Sequence, residues 1–346
     1  MKQTLKELVM CPSASGHEND IAELFTKKAK EIGLHTWTDG HGNAYASFGK
    51  PDKNKKTVLI SGHGDEVGVA VAGFTDDGFI RIVDWANQLD PRVLPGQEVF
   101  IKGKKDVPAI IGILPPHLQT AASANKVFEV KHLYADTGMS CEKVKELVSV
   151  GDAVYFKKRF VELKNDRIAC NAADDKIALV TMLEVAKRLV KTQLNVNVVF
   201  ASTCQEEVNQ SGGRHAFAQI KPDIAIAIDV LPADQFGSSG LPTYMPFGKD
   251  VYITKTPISS DKIISNLKEA GSRVNVKAEV AAYKNSYTES QAIWLTELGC
   301  PTGDIGVPIR YLHQPVETIE LETTKNCALL LSEFLTGLSP DMKEVL

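Results

Sequence analysis

No two cysteines in this 346-residue chain are spaced as CxxC. The six (Cys11, Cys141, Cys170, Cys204, Cys300 and Cys327) are scattered, which argues against a disulfide framework and for reduced thiols in a cytoplasmic setting. No apolar run approaches the roughly twenty residues that a membrane span needs. The opening MKQTLKELVM reads as an amphipathic helix, and Lys6 and Glu7 interrupt any signal-peptide core. Basic charge is not in excess: 39 Lys and Arg stand against 43 Asp and Glu, a net charge of −4. With a pI near 6.1 and no basic stripe, nucleic acid is excluded as the main partner. Internal repeats and low-complexity tracts are absent too. What remains is 43% hydrophobic and 24% charged, the make-up of a globular protein of about two domains and of enzyme size.

Helical and strand patterns alternate over much of the chain. Ser15 and Glu18 have capping-box spacing ahead of the periodic Ile21, Leu24, Phe25, Ala29 and Ile32. Val58-Leu59-Ile60 is a short, wholly apolar run ending in polar residues, as expected of a parallel strand covered on both faces. NVNVVFASTCQEE (about 195–207) and DIAIAIDV (about 223–230) repeat that pattern. Between them DKIALVTMLEVAKRLV (175–190) predicts a helix with its apolar positions on one side. The reading is α/β: a mixed, mostly parallel sheet with helices on both faces. From about 70 to 165 the texture changes to short alternating segments rich in Gly and Pro, such as GFIRIVDW, QEVFIKG and PAIIGIL. Residues 69–165 are therefore expected to form an inserted β-rich, barrel-like domain, and 1–68 with 166–346 the catalytic α/β domain.

In open α/β sheets ligands gather at the carboxyl ends of the strands. Those ends carry His63 and Asp65, Glu206 and Glu207, and Asp229; Asp174 and Asp175 begin the long helix, and His313 follows a further apolar run. Taken singly, each has an ordinary explanation. His63 could be a core or surface histidine, Asp174-Asp175 a helix start, Glu206-Glu207 a solvated pair, and His313 a neighbour of a proline-rich turn. Asp229 is harder to dismiss, because it ends six apolar residues where an unpaired carboxylate is costly. Together they make a mixed imidazole and carboxylate set that suits Zn²⁺, Co²⁺ or Mn²⁺ and could hold two ions. Asp65, two residues beyond His63 on an extended chain, points the same way and could orient its imidazole.

The sequence resembles the tetrahedral (TET) aminopeptidases, metallopeptidase family forty-two, which include glutamyl and deblocking aminopeptidases. The resemblance runs over nearly the whole chain. It rests on CPSASGHENDIAEL, SGHGDEVG, LDPRVLPGQEV, NAADDKIALVTMLE, STCQEEV, IAIDV and VPIRYLHQPVE, in that order. It implies a metal-dependent hydrolase with two divalent ions per subunit, one held by His63, Asp174 and Asp229, the other by Asp174, Glu207 and His313, with Asp174 as bridge. Asp65 would orient His63, Glu206 would be the general base, and the Asp174–Asp175 peptide bond would be cis. It further implies short peptides as substrates, a cytoplasmic setting, and homo-oligomers, from dimers to a tetrahedral dodecamer, joined through the inserted domain.

The chain departs from the family pattern in places. Lys176 replaces Arg, Asn209 replaces Gly, Glu289 stands where Asp is common, and LPADQFGSSG follows Asp229. Three alternatives stand beside the aminopeptidase. A related co-catalytic zinc amidohydrolase, a deacylase or carboxypeptidase, would place its extra domain between the fourth ligand and the last histidine. Here the longest interval lies between His63 and Asp174. A glycoside hydrolase, suggested by relatives labelled endoglucanase, needs two carboxyl groups about 5–9.5 Å apart across a bond, which the adjacent Glu206 and Glu207 do not naturally give. A non-catalytic homologue is opposed by retention of every ligand and of the base.

Overall fold

The computed structural model describes residues 1–86, 88–119, 127–238, 245–282, 288–296 and 299–346. An eight-stranded mixed sheet runs in the spatial order His35–Thr38, Ala44–Ser47, Asn197–Thr203, Thr57–His63, Ile224–Pro232, Thr302–Ile309, Val251–Lys255, Ala278–Ala282. Its four inner strands, from Asn197–Thr203 to Thr302–Ile309, are mutually parallel. The antiparallel partners lie on either side of them. The carboxyl ends of the inner strands therefore open on one edge, where the register sets Thr203 beside His63 and Asp229 beside Gly306.

Alternate residues of the inner strands feed two separate cores. Val58, Ile60, Phe200, Ile226 and Ile228 pack with the helices Asn19–Ile32, Ala173–Leu189, Asp261–Arg273 and Leu321–Gly337. Leu59, Val199, Ala201 and Ala225 pack with Ala216, Phe217 and Ile293 on the other face. Such two-sided burial is why the strands read as unbroken apolar runs. The helix Ala173–Leu189 departs from the one-sided pattern expected of it: apart from Glu184, Lys187 and Arg188 every residue is buried. It is covered by the sheet and also by the helices Lys2–Val9, Asn19–Ile32 and Leu321–Gly337. Its approach to the sheet is close enough that a Cβ on Gly62 would fall 2.2 Å from that of Ala178.

Between Val69 and Phe156 the chain closes a six-stranded antiparallel barrel, from Val69–Phe74, Ile80–Asp84, Tyr134–Asp136, Asp106–Gly112, Glu98–Lys102 and Ala153–Phe156. Asp106–Gly112 shows the reason, with Val107, Ala109 and Ile111 inside and the residues between them facing out. Closure leaves no open edge strand. The strand Phe160–Glu162 then pairs with Arg167–Cys170, which pairs with Glu317–Glu320 and brings Cys170 opposite Glu317.

The capping box expected of Ser15 and Glu18 does not form. The helix begins at Asn19 without a side-chain cap. The Ser15 hydroxyl donates instead to Asp65 Oδ2 at 2.7 Å, and Glu18 Oε1 accepts the Gly16 and Gln205 N–H groups at 2.7 and 3.0 Å. Tertiary partners across the site outcompete the local ones.

Candidate metal centre

His63 closes its strand, and a single carboxylate joins it to the far end of the chain. His63 Nε2 lies 3.1 Å from Asp174 Oδ1, and His313 Nε2 lies 3.1 Å from Asp174 Oδ2. His313 Nε2 is also 3.4 Å from Glu207 Oε2. His63, Asp174 and Glu207 offer ligand atoms within 4.8 Å of one another, as do His63, Asp175 and Asp229. Of the two linked aspartates, Asp175 is already engaged: Oδ1 accepts the Ala178 N–H at 3.2 Å and Oδ2 the His63 N–H at 3.3 Å. Asp174 keeps both oxygens for the histidines. The peptide bond between the two is cis.

Glu206 and Glu207 open a single helical turn, Glu206–Asn209, behind Gln205 in the left-handed region. Their side chains diverge. Glu207 faces His313, whereas Glu206 Oε2 lies 3.9 Å from His63 Nε2 and its Oε1 accepts from Gln210 Nε2 at 3.2 Å. Asp65 holds this turn, accepting the Glu206 and Glu207 N–H groups at 3.0 and 3.2 Å. Its Oδ1 is 3.4 Å from His63 Nδ1, although its backbone oxygen, at 3.1 Å, is nearer to that nitrogen. Asp65 thus ties both histidine orientation and the Glu-Glu turn to one buried carboxylate.

The electrostatics show a site short of positive charge. Burial pushes the Glu206 and Glu207 carboxyls well up; the charge of Asp174 adds to the rise at Glu207, and His63 offsets it at both. Burial and Asp174 raise Asp229 to about 7. Asp174 is held low against the cost of burial by its two histidines. His63 is likewise held well above its ordinary value, burial opposing and the bonds to Asp174 and Asp65 prevailing. Among the described residues Glu207 Oε1 is buried without a hydrogen-bond partner. Crowded carboxylates, histidines turned toward them and an orphaned oxygen are the donor chemistry of a divalent-cation site.

All the residues singled out in the sequence converge here. Two others had no assigned role. Glu317 accepts the Asp174 N–H on Oε2 and the His313 N–H on Oε1; it stood in the quoted VPIRYLHQPVE, so a buried acid beside a ligand was there to be seen. Gln88 reaches over from the barrel loop to donate to the Glu207 carbonyl at 2.8 Å, a contact that nothing local in the sequence announces. The site lines a cavity of about 620 Å³ whose remaining wall includes Val208, Val230, Leu231 and Leu312.

A mixed α/β sheet with helices on both faces, a barrel insertion and a histidine–carboxylate cluster at its strand ends describes a metallohydrolase. The family model of the M42 glutamyl aminopeptidases matches residues 42–330, and the chain belongs to that family. It is 27% identical over 347 residues to the lysyl aminopeptidase of Pyrococcus furiosus, covering 98% of this chain and 97% of that one. Among solved structures it resembles an aminopeptidase from Desulfurococcus kamchatkensis, with 28% identity, a TM-score of 0.91, and coverage of 99% of this chain and 96% of that one. A Pyrococcus horikoshii TET1 peptidase, described as assembling into a tetrahedron or a large octahedral shell, gives 27% identity, a TM-score of 0.85 and coverage of 97% and 99%. The chain is a metal-dependent aminopeptidase.

Proposed function

We propose that the enzyme removes single residues from the free amino ends of short peptides in the cytosol, and that Asp174 would serve both of two divalent ions. The observation that carries this is the position of Asp174, with one oxygen 3.1 Å from His63 and the other 3.1 Å from His313. Asp229 completes the His63 side, and Glu207 with His313 the other. Zinc, cobalt or manganese all suit these ligands. The chemistry that such ions would supply there is an acidified water and a polarised scissile carbonyl. Glu206, turned away from Glu207 with Oε2 3.9 Å from His63 Nε2, would hold the proton taken from the attacking water and pass it to the leaving amine. Asp65 fixes the imidazole of His63 and the turn that aims Glu206.

The apolar wall of Val208, Leu231 and Leu312 suits an uncharged first side chain. We further assign the chain to a homo-oligomer assembled through its barrel. The test is release of the first residue from peptides with free and N-acetylated ends, metal-loaded and chelated. Cleavage of free-amine peptides alone, fastest with leucine first and abolished by chelation, is the expected result. Cleavage of the acetylated set would instead indicate the deacylase reading. The match to the M42 aminopeptidase family disfavours the glycosidase reading.

A further inference from the structure

Two of the proposed ligands lie on parts of the chain with little local reason to hold their shape. Asp174 sits just before the regular part of its helix, with ψ of 106° and Asp175 also non-helical. His313 lies in the turn between Arg310 and Thr318, which bond each other in both directions at 3.0 Å, and both Tyr311 and His313 have left-handed φ, 64° and 56°. A non-glycine residue stays in that region only when its surroundings hold it there. One side chain touches both. Glu317 is 2% exposed, its Oε2 accepts the Asp174 N–H at 3.0 Å, and its Oε1 accepts the His313 N–H at 3.1 Å. The pairing of Cys170 with Glu317 carries the carboxylate to that position from the sheet below.

We propose that Glu317 is a positioning residue for the metal pair: its buried carboxylate grips the backbones of Asp174 and His313 together and so sets the distance from the bridging carboxylate to the terminal imidazole. The inference rests on the two-ion reading above. It explains why a buried acid stands beside an already acid-rich site, since each oxygen meets a backbone donor that no other described side chain meets. The arrangement demands an acceptor at both positions. Glutamine has nearly the same shape but presents N–H to one of the two N–H groups, so one grip becomes a repulsion. Aspartate is one methylene shorter and cannot span both.

The test is stepwise Co²⁺ titration of the metal-free protein, read by visible absorption and by competition with a chelator, on wild type, Glu317→Gln and His313→Ala. Wild type should take two equivalents. Glu317→Gln should keep its first equivalent and bind the second about 10–100-fold more weakly, the cost typical of losing a group that orients a ligand. His313→Ala should weaken the same step, while Glu317→Gln melts somewhat lower but keeps the far-UV circular dichroism of wild type. An undiminished second equivalent in Glu317→Gln, or equal weakening of both, would overturn the proposal. Should Glu317→Gln not fold, Glu317→Asp is titrated against the same criteria; failure of both to fold assigns Glu317 to the fold and also overturns it. Fewer than two equivalents in wild type would instead remove the two-ion reading.

Discussion

Glu206 and Glu207 share a peptide bond and are assigned different work, and the difference lies in what each faces. Replacing Glu206 by Gln keeps its shape and removes its basicity. Turnover should fall by about 10²–10⁴ while metal content, measured by elemental analysis, stays at the wild-type value; unchanged kcat would remove Glu206 as the base. A second residue bears on pH. Burial raises the Asp304 carboxyl to about 6 from an ordinary 3.8, a rise that bonds from Thr288 and Ser290 reduce. An acid whose folded pKa is raised favours the folded state fully below about pH 3.8 and loses that contribution as pH rises through 6. The loss amounts to at most about 3 kcal/mol at pH 8. Asn cannot ionise, so Asp304→Asn should melt higher than wild type at pH 8, with the gain vanishing near pH 4. A pH-independent difference in melting temperature would contradict this. Asp229 was legible by itself because it ends an apolar run where an unpaired carboxylate is costly, whereas His63 was legible only in company with the other strand-end residues. Gln88 acts on a backbone group 119 residues away, and Glu317 on one 143 residues away as well as on nearby His313; such distant contacts leave no periodicity or spacing to read.

Among elements, the contact between the strand Thr57–His63 and the helix Ala173–Leu189 governs the site, since one carries His63 and the other Asp174. Both were legible from their apolar patterns. The all-round burial of the helix was not, because Lys176, Thr181 and the paired aspartates look like a polar face. Lys176 is nonetheless fully buried, its ammonium donating to Ser13 Oγ at 2.6 Å and to the Gly64 carbonyl. Gly62 is the closest point of approach: an added Cβ would fall 2.2 Å from Ala178 Cβ and 2.9 Å from Asp175 Oδ2. Gly62→Ala must therefore push strand and helix apart, at a cost of roughly 1–3 kcal/mol. The expected outcome is a lower melting temperature together with weaker metal retention, because His63 and Asp174 ride on the two separated elements. Loss of stability with metal affinity intact would show that the two ligands are positioned independently of this contact.

At the scale of the molecule, the barrel is a closed unit whose inside is filled, yet its outside is not uniformly polar. Phe79, Ile113, Leu114 and Val127 are 39–60% exposed and line a groove of about 950 Å³. That groove involves none of the metal-site residues, so its apolar character needs a different cause. Contiguous exposed apolar surface on a folded domain marks a contact surface more often than a defect, and a homo-oligomer contact is the occupant proposed above. On that proposal the inserted barrel would separate two tasks, chemistry at the strand ends and assembly on the barrel wall, with Gln88 the described side chain that reaches from the barrel to the Glu207 carbonyl. Leu114, 52% exposed, is the residue to change. Leu114→Asp leaves the barrel interior untouched and places a charge where apolar surface would be buried. Sedimentation velocity should show a smaller particle than wild type, and cleavage of a dipeptide per subunit should stay within about twofold, because the groove and the metal-site cavity share no lining residue. An unchanged particle mass would move the assembly surface away from this groove, and loss of both mass and activity would mean that the site depends on the assembly.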